Sequence, residues 1–298
     1  GATGTYAVAM GHFTTASGYS STALGVNTEA SGTYSTAMGL STTASGNKST
    51  AMGEYTTASG YTSTAMGYQT QASGNDSTAL GANTEASGIG STAMGYQTQA
   101  SGNDSTALGA NTEASGTYST AMGLSTTASG YSSTAMGNYS TASDYASVVI
   151  GQYNSSGSSA TSSGSFSTSN TAFVIGNGTN SSNKSDAFKV MFNGDTTVSN
   201  DLTVSGDVVI SSDARLKSNI VSLGSTLPKL LQIDGKSYEM KGKQKIGVLA
   251  QEIKEVFPEL VSEDDNEMLA VNYQGLVPVL INALKEQDAK MKEHKSSI

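Results

Sequence analysis

Glycine recurs every seven residues through the first half of this chain, and no other feature constrains its fold as strongly. The glycines of an A-[LM]-G triplet stand at Gly11, Gly25, Gly39, Gly53, Gly67, Gly81, Gly95, Gly109, Gly123 and Gly137, with a variant at Gly151. Midway between them an ASG triplet places Gly18, Gly32, Gly46, Gly60, Gly74, Gly88, Gly102, Gly116 and Gly130 in the same phase. Ser/Thr/Gly/Ala-rich sequence is ordinarily disordered, but a flexible linker has no reason to hold phase over so many periods. The period therefore marks a structural repeat.

A period of seven invites a coiled coil, which the chemistry rejects. Each glycine would cost a helix about 1 kcal/mol, and one Met or Leu per repeat makes no continuous apolar seam. Short strands with glycine at the corners fit better, because glycine permits left-handed corners and Thr and Ser suit exposed strand faces. Each repeat then forms one coil of a β-solenoid, with two short strands and two turns. A coil that buries only Ala with a Met or Leu, such as Ala37 with Met38 or Ala79 with Leu80, removes too little apolar area to offset its ordering entropy. Stacking coils, and sharing a core between chains, predicts an obligate oligomer. At a strand spacing of about 4.8 Å, ten coils make a shaft on the order of 50 Å long.

The units STAMGLSTTASGNK and STALGANTEASGTY resemble the head repeats of trimeric autotransporter adhesins. The resemblance covers residues 1–151 and implies three chains winding left-handed β-rolls about one axis. Met or Leu here replaces the Val or Ile common in those repeats. Residues 68–95 and 96–123 are identical except for Ile89-Gly90 against Thr117-Tyr118, as expected of a spacer whose length can change. Tyr34, Tyr55, Tyr61, Tyr68, Tyr96, Tyr118 and Tyr131 recur at loop positions. They could stack on the sugar rings of a host-surface glycan, but laddering on one another or covering the coil edges is the favoured reading, and no site for a glycan or protein receptor is expected from them.

Charge divides the chain. Residues 1–210 hold 14 charged side chains, three of them Lys, whereas residues 211–298 hold 25 and every Arg and Pro. Neither part is basic, so nucleic acid is not an expected partner. No apolar run approaches the ~20 residues of a membrane span, so membrane insertion is not expected. Cysteine is absent, and the two histidines, His12 and His294, lie at opposite ends. Neither a metal site nor a cofactor is expected. Gly1 opens inside a repeat, which suggests a piece of a longer chain.

Residues 152–210 read as an irregular linker and a β-rich neck. The 14-residue phase fails at SSGSSATSSGSFSTSN, and order resumes with Phe173, Val174 and Ile175 ended by Gly176. Turn signals at Asn193-Gly194 and Ser205-Gly206 punctuate alternating apolar residues, predicting short strands paired between chains.

The seam is SSDARLKSNI, residues 211–220. Beyond it, KIGVLAQEIKEVFPELV has the pattern of a strand entering an amphipathic helix, with Leu249, Ile253, Val256 and Phe257 on one face and Pro258 closing it. A second short strand leads to a C-terminal helix with Val277, Leu280, Ile281, Leu284 and Met291 as a self-association seam. The acidic stretch SEDDNE between them reads as solvated. By itself this is a small α+β domain, and SSDARLK reads as a helix N-terminus capped by Ser212 or Asp213 beside a solvated Lys217.

The three motifs SDARLKSNI, IGVLAQEIKEVFPELV and VNYQGLVPVLINALKEQ, in that order, resemble the intramolecular chaperone domain that ends endosialidase-type phage tailspikes. The resemblance covers residues 211–298. It implies a domain that trimerises the fibre ahead of it and then cuts itself off, at the Ser211–Ser212 bond, with Ser212 as nucleophile and Lys217 as its base. Serine needs a base to take its proton. A lysine, ordinarily protonated up to about pH 10.4, serves only when burial or neighbouring cations such as Arg215 neutralise it.

The expected fold is therefore mainly β: a trimeric left-handed β-roll shaft, a β-rich neck, and a small α+β chaperone domain with a C-terminal helix. The expected function is a homotrimeric viral or phage fibre, located on the virion, with a self-releasing assembly chaperone. The alternative is an adhesin at a bacterial surface whose C-terminal domain remains as a permanent trimer clamp. A membrane-anchored passenger fits less well, because the chain ends in a polar helix, and no paired carboxylates suggest polysaccharide hydrolysis.

Overall fold

A computed structural model describes residues 1–263 and 267–297, in two compact units, Gly1–Ser205 and Gly206–Ile298. The first is a parallel β-solenoid. Each coil contributes one five-residue strand, such as Thr22–Val26, and one two-residue strand, such as Glu29–Ala30. Successive long strands stack in exact register, Ala23 on Ala37 and Gly25 on Gly39, within a 14-stranded sheet. The short strands build a second sheet of ten.

The interior is smaller than the sequence suggests. An alanine at every seventh position from Ala16 to Ala142 is fully buried, and Val149 and Val174 continue the column. Between the alanines lie buried Thr28, Thr42, Thr56 and their equivalents, and buried Ser21, Ser35 and Ser49. Several serines donate to a carbonyl three residues back, as Ser21 Oγ does to Gly18 O at 2.8 Å. The Met and Leu residues expected inside are outside. Strand alternation turns Ala23 inward and therefore Leu24 outward, where Met10, Leu24, Met38, Met52 and Met66 form a partly exposed apolar ladder.

Glycine's role also differs from the expected one. The left-handed corner residues are mostly not glycine: Tyr34 has φ 60°, Asn111 54° and Ser125 52°, and the same conformation recurs at seven-residue intervals. Their N–H groups point to the preceding coil, as Tyr34 N does to Tyr19 O at 2.8 Å. The ASG glycines are needed instead for close approach, since a Cβ on Gly18 would lie 2.1 Å from Gly32 O. The other set has both reasons, as at Gly25, where φ is +126° and a Cβ would meet Gly39 O at 2.1 Å.

Of the neck expected to form strands paired between chains, residues 171–198 pair within this one and residues 199–210 form no strand. Thr171–Asn177 continues the long-strand sheet in parallel, with Phe173 on Val148 and Gly176 on Gly151. Asp186–Met191 and Thr196–Val198 then add antiparallel. Most of the recurring tyrosines pair with another tyrosine, as Tyr34 does with Tyr19 at 5.7 Å and Tyr118 with Tyr131 at 5.4 Å between ring centres, whereas Tyr61 packs against the Lys48 amine.

The second unit packs three helices, α1 (Leu227–Leu230), α2 (Ala250–Val256) and α3 (Leu276–Ser296), with two small hairpins. Its core is Ile253, Phe257 and Val279, with Leu230, Val256, Val271 and Leu276 around them. Leu249, expected on this face, is 42% exposed because it precedes the helix as its N-cap. On α3, Val279 and Ala283 are buried, while Val277, Leu280, Ile281, Leu284 and Met291 remain exposed. Part of the acidic stretch, 264–266, lies outside the described residues. Among the described residues no helix is long and apolar enough to cross a membrane.

Candidate functional site

The site follows from one short turn. Asp213 is extended, with φ −62° and ψ 133°, and its carboxylate accepts the Arg215 backbone N–H at 2.8 Å. This side-chain cap starts a 3-10 turn over Ala214–Leu216, closed where Lys217 N donates to Ala214 O at 3.1 Å. Reversing the chain in so few residues brings the Lys217 side chain back over Ser212. Lys217 Nζ donates to Ser212 Oγ at 2.7 Å.

Arg215 does not face Lys217's amine in the role expected of it. Its guanidinium folds onto Asp213, with Nη2 to Oδ2 at 2.7 Å and Nε to both oxygens at 3.1 Å. The Arg215 guanidinium, helped by the Arg215 backbone N–H, holds the Asp213 carboxyl below the usual carboxylate range, and Asp213 raises Arg215 in turn. The arginine's charge is thus paired with its neighbour's carboxylate.

The turn is open to solvent. Residues 208–224 are all exposed, including Val209 at 88%, Leu216 at 74% and Val221 at 83%. Ser212 and Lys217 are therefore in contact on an exposed turn. To activate the serine, the amine has to accept the hydroxyl proton. Apolar side chains lie exposed on both sides of the turn, Val209 before it and Val221 after it.

The chain downstream is anchored rather than loose. Glu286, on α3, accepts the backbone N–H groups of Thr226 and Leu227 and the Ser225 hydroxyl. Thr226 Oγ1 donates to Val279 O at 2.9 Å, and Asn282 Nδ2 to Gly224 O at 3.3 Å. The Thr226 N–H above all, then the Ser225 hydroxyl, holds the Glu286 carboxyl below its ordinary value. No local sequence signal announces this contact, because its partners are 60 residues apart. No metal-ligating cluster of His, Cys, Asp or Glu occurs among the described residues.

Comparison with known proteins follows the same division. Residues 212–262 match the family described as chaperone of endosialidase, a peptidase family, beginning at Ser212 itself. Residues 2–28, 30–55, 58–84, 86–112, 114–140 and 128–154 match the YadA head domain repeat. No curated protein matches the chain.

Proposed function

From YadA-type head repeats leading into an endosialidase-type chaperone domain, we propose a homotrimeric fibre shaft whose C-terminal domain assembles it and then releases itself. The observation that carries the release is the 2.7 Å contact between Lys217 Nζ and Ser212 Oγ, on the residue that follows the proposed scissile bond. Two features support the trimer: the outward Met/Leu ladder of the solenoid and the exposed apolar stripe of α3. A virion fibre is the proposed setting, with a bacterial surface adhesin as the other.

In the proposed reaction a neutral Lys217 takes the Ser212 hydroxyl proton as Oγ bonds to the Ser211 carbonyl carbon. The Ser211–Ser212 C–N bond breaks, and the lysine returns the proton to the Ser212 nitrogen. Water then hydrolyses the ester, leaving a Ser211 carboxylate and a Ser212 amine. Assembly controls the first step, because covering the exposed turn by neighbouring chains favours the neutral amine.

Intact mass under denaturing conditions tests this reading on the full chain beside Ser212→Ala and Lys217→Ala. Two fragments meeting at Ser211–Ser212 in the parent, with both variants whole, support it. A parent that trimerises and stays whole rejects the cleavage and leaves the C-terminal domain as a permanent clamp.

A further inference from the structure

The two sheets of the solenoid end at different places. The long-strand sheet continues past Val148–Gln152 into Thr171–Asn177, whereas the short-strand sheet stops at Thr141–Ala142. Residues 153–170 fill the interval, and two departures from the repeat coincide with it. Asp144 stands where the earlier ASG triplets carry glycine, and Asn154 where the preceding coils carry Thr126 and Ser140.

Asn154 is 1% exposed and behaves as a detached peptide group. Its Oδ1 accepts Thr141 N at 2.8 Å, and its Nδ2 donates to Thr141 O at 2.8 Å and to Ser156 O at 2.7 Å. In earlier coils the equivalent N–H goes to backbone, as Thr127 N does to Ser140 O at 2.9 Å. The side chain thus occupies the place of the next strand. Two carboxylates pin the rest of the excursion. Buried Asp144 accepts Thr161 N at 2.6 Å, Ser162 N at 3.3 Å and Thr171 N at 2.9 Å. Asp186 accepts Ser155 N and Ser156 N, both at 2.8 Å.

An open strand edge templates pairing with another chain. That hazard is acute here, because coils so alike that 68–95 and 96–123 differ at two positions fit one another's edges in register. We infer that Asp144, Asn154 and Asp186 form a built-in stop, which closes the short-strand sheet against strand addition by a second copy of this chain. The inference is independent of the cleavage reading.

Hydrogen exchange on the full chain tests it first. Thr141 N–H protected as well as interior Thr127 N–H is the expected result; exchange at the rate of a free amide overturns it, and this measurement needs no variant. Asn154→Ala is then expected to lose that protection and to form larger, concentration-dependent species that incorporate an added peptide of residues 105–118. Lost protection with unchanged size and no peptide uptake overturns the stop, leaving Asn154 a structural cap alone. Asn154→Asp, which keeps the acceptor and loses the donor, is expected to fall between the two.

Discussion

A Cβ on Gly60 would stand 1.9 Å from the carbonyl oxygen of Gly74, one coil further along. The obstruction is backbone, which cannot swing aside as a side chain can. Gly60→Ala is therefore expected to push two coils apart and destabilise the solenoid by about 1–3 kcal/mol, the usual cost of overpacking. Ser125→Gly makes the opposite case. Ser125 holds φ 52°, a conformation that costs an L-residue roughly 1–2 kcal/mol, while glycine's larger unfolded-state entropy offsets about 0.4–1 kcal/mol. It is expected to be neutral or slightly stabilising. Denaturant unfolding of both variants beside the parent separates close approach from corner geometry as the reason for each residue.

The periodicity thus made the coil, its length and its two strands legible, while the reasons for individual residues were not. The left-handed positions hold Tyr, Phe, Ser, Thr, Asn, Lys, Gln, Asp, Ala and once Gly, so only their spacing is constant and no residue type marks them. The placement of Met outside was readable in principle: in T-A-M-G, Ala and Met are adjacent in a strand and only one can face in. The turn at Ser212 to Lys217 followed from a short motif whose partners are all local. The Glu286 anchor did not, since a carboxylate on a helix says nothing about which N–H groups, 60 residues away, it will meet.

The outward ladder predicts where assembly breaks. Met52 and Met66 are in register on adjacent strands and face away from the alanine column. Met66→Glu leaves the coil's own interior intact but places a charge in a surface proposed to face the other chains, where an unpaired carboxylate is costly. The expected outcome is loss of the trimer in sedimentation, with the β signature in circular dichroism lost alongside it, as an obligate oligomer requires.

Asp213 is expected to matter for rate without touching the reacting bond. It caps the turn and holds Arg215, and the turn is what returns Lys217 to Ser212. Asp213→Asn keeps a cap acceptor but loses the ion pair, whereas Asp213→Ala loses both. Under the proposed cleavage, the rate followed by intact mass should fall in the order parent, Asp213→Asn, Asp213→Ala. Equal rates in all three would show that assembly alone positions the dyad.

Glu286 gives the chaperone unit a defined response to acid. Its carboxylate accepts N–H groups at the start of α1 and the Ser225 hydroxyl, and these hold its pKa below the ordinary 4.5. Because the folded value is the lower one, the unfolded chain binds the proton more readily. The stabilisation is therefore complete above the ordinary carboxylate value and is lost as pH falls through the depressed folded value. Glu286→Gln cannot titrate and should lack this loss. At neutral pH the variant is expected to be less stable than the parent, with faster hydrogen exchange at Thr226 and Leu227. The two proteins should converge as pH drops below the folded value of Glu286. A difference that persists unchanged into acid would mean that side-chain shape, rather than the charge on Glu286, anchors the segment after Lys217 to α3.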